Sequence, residues 1–172
     1  LKTIGNEIDT KVVEFEKVIY EQAGVEFNIN SPKQVAEVLF DKMGLKPKKK
    51  GKSGVYSTSA KILDELAPDY KIARDILEHR QLMKLKTTYV DALPKLVKQD
   101  GKIHTHFNQI VTTTGRLSSS DPNLQNIPIR TEFSNRIRGA FVPSQDNYVI
   151  MSADYSQVEL RVLAHMANVS KL

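Results

Sequence analysis

Tyr148 to Met166 read Tyr-Val-Ile-Met-Ser-Ala-Asp-Tyr-Ser-Gln-Val-Glu-Leu-Arg-Val-Leu-Ala-His-Met. The first six residues, Tyr148 to Ala153, form a short, mostly apolar run of the kind a buried strand uses. Asp154 follows at once. Ser156 and Glu159 have the S-x-x-E spacing of a capping box, so a helix is expected to open there. Val158, Val162 and Met166 then recur at helical spacing, with Leu163 and Ala167 beside them. A carboxylate is thereby expected where a buried strand gives way to a helix, a rigid position from which it faces the cleft beyond the strand end. Magnesium takes oxygen ligands and commonly needs only one or two protein carboxylates, the rest coming from water and phosphate. Asp154 is placed to be one of them. A helix cap, or a pairing with Arg161, is the alternative reading of the same spacing.

The eight residues Asp154-Tyr155-Ser156-Gln157-Val158-Glu159-Leu160-Arg161 resemble the first palm motif of family A DNA polymerases, Val158 being a conservative variation. The resemblance implies that Asp154 binds both catalytic metal ions, taken as Mg2+, and that Tyr155 adds its backbone carbonyl. It implies that Glu159 excludes the ribose 2′-hydroxyl. Tyr155, Ser156, Gln157 and Glu159 would then face the incoming nucleotide, and Asp154, Glu159 and Arg161 would be the catalytic set.

Composition is consistent with this and excludes other classes. A chain of 172 residues can build one domain or two small ones. With no cysteine, neither a disulfide framework nor a thiolate metal site is available. No apolar run approaches the ~18 residues of a membrane helix, and no signal peptide is visible. A soluble cytoplasmic monomer without a membrane partner is the expectation. The first residue is Leu1, so a piece of a longer chain is expected. Residues 1–41 carry a net charge of −4 and residues 42–172 a net +9, giving +5 in all. The basic part suits a polyanion.

In chain order, Glu7 to Ala23 read as a helix with the stripe Ile8, Val12, Phe15 and Ile19, stopped by Gly24. Ser31-Pro32 open a second helix that ends at Gly44. Five lysines then fall within residues 46–52, followed by Ser53 and Gly54. This loop is either a solvated linker or a flexible phosphate clamp, since lysines neutralise a nucleic-acid backbone without reading its sequence. Ser57 or Ser59 caps a short helix through Leu66, and Asp69 opens a long one to about Leu93, limited by Pro94. Arg80, Lys84 and Lys86 lie on or near one side of it. From Gly101 the period becomes two, so Ile103, Thr105 and Phe107 mark a strand. His104 and His106 lack a third ligand nearby and read as half-exposed strand residues.

Thr114 to Arg130 are rich in Gly, Pro and Ser and dense in donors: Arg116, Asn123, Gln125, Asn126 and Arg130. Every base pair offers a minor-groove acceptor whatever the sequence, so such donors suit an enzyme that accepts all sequences. A polar loop with its own turn hydrogen bonds is the alternative. This string is similar to the T-G-R-L-S-S…N-L-Q-N-I-P motif of the same family. That likeness implies that Arg116 contacts the primer-terminal minor groove and that Asn123 and Gln125 contact template or primer near the junction. Lys48, Lys49, Lys50, Lys86 and Asn126 join the DNA-contacting set. Phe27 to Gln34 and Leu85 to Pro94 resemble thumb segments of the family, and Arg136 to Val142 its link into the first palm strand.

The expected fold is α+β: a helical thumb over residues 1–98 with a basic tip loop at 46–54, then a partial antiparallel-sheet palm over 99–172. The palm would hold the primer–template loop 114–130 and the metal motif 154–161. The function implied is part of a DNA-directed DNA polymerase extending a primer by two-metal transfer from deoxynucleoside triphosphates, in replication and repair. The second palm carboxylate and the fingers residues fall outside these 172 residues, so the piece alone is expected inactive. A non-catalytic, sequence-independent DNA-binding module and a purely structural helical domain are the other readings.

Overall fold

The computed structural model describes residues 1–46, 56–129 and 131–169. Lys48, Lys49, Lys50 and Arg130 lie outside the described residues. The chain divides into two compact units, Leu1–Ala140 and Phe141–Leu172. The thumb–palm boundary expected near residue 98 falls inside the first unit.

The first unit is built on two long helices. Helix α1 (Lys2–Ala23) starts five residues before the expected Glu7 and buries Ile4, Ile8, Val12 and Ile19 on one face. Gly24 ends it in the left-handed region, φ 67°, with its N–H on the Tyr20 carbonyl. Helix α2 (Pro32–Ala36) starts as its sequence signals require. The Ser31 side chain accepts from the Gln34 N–H, and Pro32 sits in the first turn. It continues as a π-helical turn over Glu37–Lys42. Helix α3 (Ala60–Leu66) follows, with Ser59 at the cap position but no side-chain cap bond.

Helix α4 (Lys71–Leu85) begins after Tyr70, one residue later than an Asp69 cap would give. The single long helix expected to Leu93 changes character on the way. It passes into a π-helix over Lys86–Val90 and a short 3-10 turn over Leu93–Leu96, where Pro94 supplies no N–H. Ile19, Val35, Leu39, Leu63, Ala73 and Ile76 form the centre of the core among α1 to α4. Buried Asp75 is satisfied between the helices, taking Lys71 Nζ at 2.7 Å and Gln22 Nε2 at 2.7 Å.

Strand β1 (His106–Asn108) pairs antiparallel with β2 (Ser118–Ser120), His106 opposite Ser120 and Asn108 opposite Ser118. The strand expected from Ile103 is therefore shorter. Thr105 instead turns its hydroxyl to the carbonyls of Ser120 and Pro122. Helix α5 (Glu132–Arg138) is not expected from the sequence, and only its last three residues overlap the link read over Arg136 to Val142. Its signals are ordinary ones: the Thr131 hydroxyl accepts from the Ser134 N–H, Glu132 sits in the first turn, and Arg136 and Arg138 in the last.

The second unit corrects two expectations. Tyr148–Ala153 is not a strand, and Val149 and Met151 are strongly exposed. A strand must pair its backbone groups, and among the described residues none pairs with this run. The capping box is also displaced. Helix α6 (Val158–Met166) has Gln157 as its N-cap, in the left-handed region and without a side-chain cap bond. Ser156 thus stands outside the helix, and Glu159 is its second residue rather than the third. The α+β class holds, but Asp154 does not lie on a strand end.

Candidate nucleic-acid interface

The loop from Thr114 to Ile129 is organised around one buried hydroxyl. Ser119 on β2 donates to the Asn123 side-chain oxygen at 3.1 Å and accepts from the Leu124 and Gln125 N–H groups. Asn123 Oδ1 also accepts from Gln125 N at 3.1 Å. Tyr89, buried on the π-helix, donates its hydroxyl to the Asn126 carbonyl. The Thr112 hydroxyl donates to the Arg116 carbonyl. Arg116, Asn123, Gln125 and Asn126 are themselves exposed. The alternative of internal turn bonding thus describes the frame of the loop. It spends the Asn123 oxygen, which takes both Ser119 Oγ and the Gln125 N–H. A cleft of about 480 Å³ runs between Lys84, Tyr89, Leu93, Asn123 and Asn126.

The basic residues of α4 and of the π-helix that follows it separate. Arg80 turns inward and ties two loops together, donating through Nε to the Ile29 carbonyl at 3.2 Å and through Nη1 to the Thr58 carbonyl at 2.7 Å. Burial draws its pKa down. Lys86 is held between carboxylates, 3.0 and 2.9 Å from the Asp91 oxygens and 3.5 Å from Asp9 Oδ2 on α1. The hydrogen bond to Asp91 is the main reason its pKa is raised. Only a fifth of its side chain is exposed, so Lys86 serves the packing of α1 against the π-helix. Lys84 is exposed. His104 pairs with Asp100 at 2.7 Å on the surface. A larger cleft of about 910 Å³, between Pro32, Tyr56 and Arg80, contains none of the expected site residues.

In the second unit Asp154, Tyr155, Ser156, Gln157, Glu159 and Arg161 all reach solvent. Arg161 Nε donates to the Ser156 carbonyl at 2.9 Å, drawing the arginine back over the turn. The Asp154–Arg161 pairing is not what Arg161 Nε makes. The donors fit a hard cation in kind, because a carboxylate and the Tyr155 carbonyl are both oxygen ligands. They do not complete a site. Among the described residues no three His, Asp or Glu side chains are grouped to hold a metal ion.

The family description "DNA polymerase family A" matches residues 1–172. The chain belongs to this family. The DNA polymerase I of Bacillus subtilis is 55% identical over 168 residues, covering 97% of this chain and 19% of that protein. That of Geobacillus stearothermophilus is 56% identical over 168 residues with the same coverage. Among solved structures, the POL domain of Pol1 from M. smegmatis, in complex with DNA primer-template and dNTP, superimposes with a TM-score of 0.87 at 40% identity. That match covers 99% of this chain and 30% of the other. The family A chain therefore spans about a fifth of the length of the curated relatives it matches. No helix among its described residues is long and apolar enough to cross a membrane.

One contact of the family A chain has no counterpart in the sequence reading. Arg136 on α5 grips Glu7 on α1 with both guanidinium ends, Nη1 to Oε2 at 2.6 Å and Nη2 to Oε1 at 2.7 Å. The partners are 129 residues apart, so no local pattern could have paired them.

Proposed function

We propose that the chain supplies the thumb, residues 1–98, and the first part of the palm, residues 99–172, of a DNA-directed DNA polymerase. The reaction is primer extension on a DNA template from deoxynucleoside triphosphates, in cytoplasmic replication and repair. The family match over all 172 residues carries this reading. The relative solved with DNA primer-template and dNTP supports the choice of partners.

In this reading the exposed donors Arg116, Asn123, Gln125 and Asn126 lie against the primer–template minor groove, held in register by Ser119 and Tyr89. Lys48, Lys49 and Lys50 grip phosphates at the thumb tip. Lys86 contributes through packing rather than by touching DNA. Asp154 and the Tyr155 carbonyl would hold the magnesium ions. When bound, such ions neutralise charge on the transferring phosphate and on the attacking and leaving oxygens. Tyr155, Ser156, Gln157 and Glu159 border the incoming nucleotide, Glu159 closing the space beside its 2′ carbon, and Arg161 steadies the turn through the Ser156 carbonyl. The 172 residues alone bind primer–template weakly and incorporate nothing, because one carboxylate does not make a two-ion site.

The test exchanges the aligned segment of the Bacillus subtilis relative for these residues and measures primer extension. The exchanged polymerase extends primers. Asp154→Ala in it abolishes incorporation while the duplex Kd stays nearly constant. Extension by the Asp154→Ala protein would refute the metal assignment. Duplex binding without extension by the parent would favour a non-catalytic binding module.

A further inference from the structure

The Glu7–Arg136 pair is part of a larger junction. Phe133, one turn before Arg136 on α5, is buried and lies under two cations, Lys11 of α1 at 5.0 Å and Arg136 at 5.6 Å from the ring centre. Both partners of the ion pair show paired behaviour: the Arg136 hydrogen bonds hold Glu7 below the ordinary carboxylate range, and Glu7 holds Arg136 up. A bidentate arginine–carboxylate pair fixes orientation as well as distance.

The same first turns of α1 also seat the π-helix Lys86–Val90. Asp9 meets Lys86, and a Cβ on Gly5 would come within 3.1 Å of Val90 Cγ1, so the Val90 side chain packs directly on the α1 backbone where Gly5 leaves room for it. Tyr89 of that π-helix holds the Asn126 carbonyl. The loop 114–129 is thus flanked on one side by the π-helix and followed in sequence by α5, and both rest on Gly5, Glu7 and Asp9 of α1.

We propose that Glu7 and Arg136 are positioning residues for primer extension: their pair locks α5 to α1 and so fixes where the 114–129 loop presents Arg116 to the primer end. This rests on the polymerase reading above. Neither residue touches the nucleic acid in this account. They act through the loop, so their loss changes how incorporation depends on the primer's minor-groove acceptor.

The experiment uses the exchanged Bacillus subtilis polymerase and two primers, one ending in guanine and one in 3-deazaguanine, which lacks the N3 acceptor. Single-turnover incorporation is normalised to active enzyme. In the parent, the missing acceptor slows incorporation about tenfold, the effect of one hydrogen bond of ordinary strength. In Glu7→Gln and in Arg136→Ala the difference shrinks to within about twofold, because the loop no longer holds Arg116 in register. The charge-reversed pair, Glu7→Arg with Arg136→Glu, restores most of it. If the pair were purely stabilising, its loss would lower the melting temperature and the active fraction but leave the ratio of the two primers unchanged. That result would overturn the proposal. Failure of the parent to extend either primer would instead overturn the polymerase reading itself, and the proposal with it.

Discussion

His79 shows how one side chain carries a pH dependence that its neighbours alone would not predict. It is fully buried on α4, with Nε2 3.3 Å from Glu16 Oε1 on α1, and Nδ1 is buried without a hydrogen-bond partner. Burial is the largest influence and lowers its pKa, while Glu16 raises it and Arg80 lowers it further. The folded pKa is therefore below the unfolded one, so the unfolded chain takes up the proton first. The stability that follows from neutral His79 is complete above about pH 6.5 and is lost as pH falls from there toward the folded value. Urea unfolding followed by circular dichroism shows a midpoint that drops between pH 8 and pH 5, and His79→Gln flattens that drop. An equal drop in His79→Gln would assign it to other groups. Glu159 is a second case at this scale. As the second residue of α6 it does not occupy the capping-box position, so Glu159→Ala breaks no capping box. The same substitution in the exchanged polymerase raises ribonucleotide incorporation relative to deoxyribonucleotide. Unchanged sugar discrimination would remove the gate assignment.

Among the elements, some local signals acted where their residues indicate, while the Ser156–Glu159 capping box did not. Ser31 and Pro32 start α2, and Gly24 stops α1. Ser31→Ala removes the one side-chain cap of α2 and costs about 1 kcal/mol, read as a shift in the denaturation midpoint. The lysine-rich segment is an element of a different kind, defined by charge rather than by periodicity. Replacing Lys48, Lys49 and Lys50 with Ala weakens duplex binding alike on all sequences. It flattens the log–log salt slope by about three at most, one for each phosphate no longer neutralised by a lysine. Unaltered affinity would return the segment to the solvated-linker reading. The π-helical stretches Glu37–Lys42 and Lys86–Val90 had no such signal. In the second, the extra residue per turn accompanies the seating of Tyr89 beneath the loop and Lys86 beside Asp9.

The molecule as a whole divides unevenly. The first unit has its own core, with Ile8, Ile19, Leu39, Leu63 and Ile76 fully buried. The second exposes Val149, Ile150, Met151 and Met166, apolar side chains that a self-sufficient unit would cover. A chain ending at Ala140 therefore melts cooperatively, with a midpoint within a few degrees of that of the 172 residues. Loss of a cooperative transition on that truncation would show that residues 141–172 complete the core of the first unit.

Local chemistry made much of this legible in the sequence. The apolar stripe of α1, the Ser-Pro start of α2, the change to period two after Gly101 and the polar loop from Thr114 each depend on residues close in the chain. The eight-residue motif at Asp154 pointed to the family in the same way. Where a signal was local and still failed, something non-local was missing. Tyr148–Ala153 has the composition of a strand, but a strand exists only with a partner to take its backbone hydrogen bonds. Lys86 is expected among the DNA contacts, but Asp9 and Asp91 hold it, and Arg80 is taken up by the carbonyls of Ile29 and Thr58. Tertiary structure alone brought Glu7 to Arg136 and Tyr89 to Asn126. Those contacts depend on the folded path of the intervening chain, and a side chain's role between solvent, DNA and packing is set by which partner reaches it first.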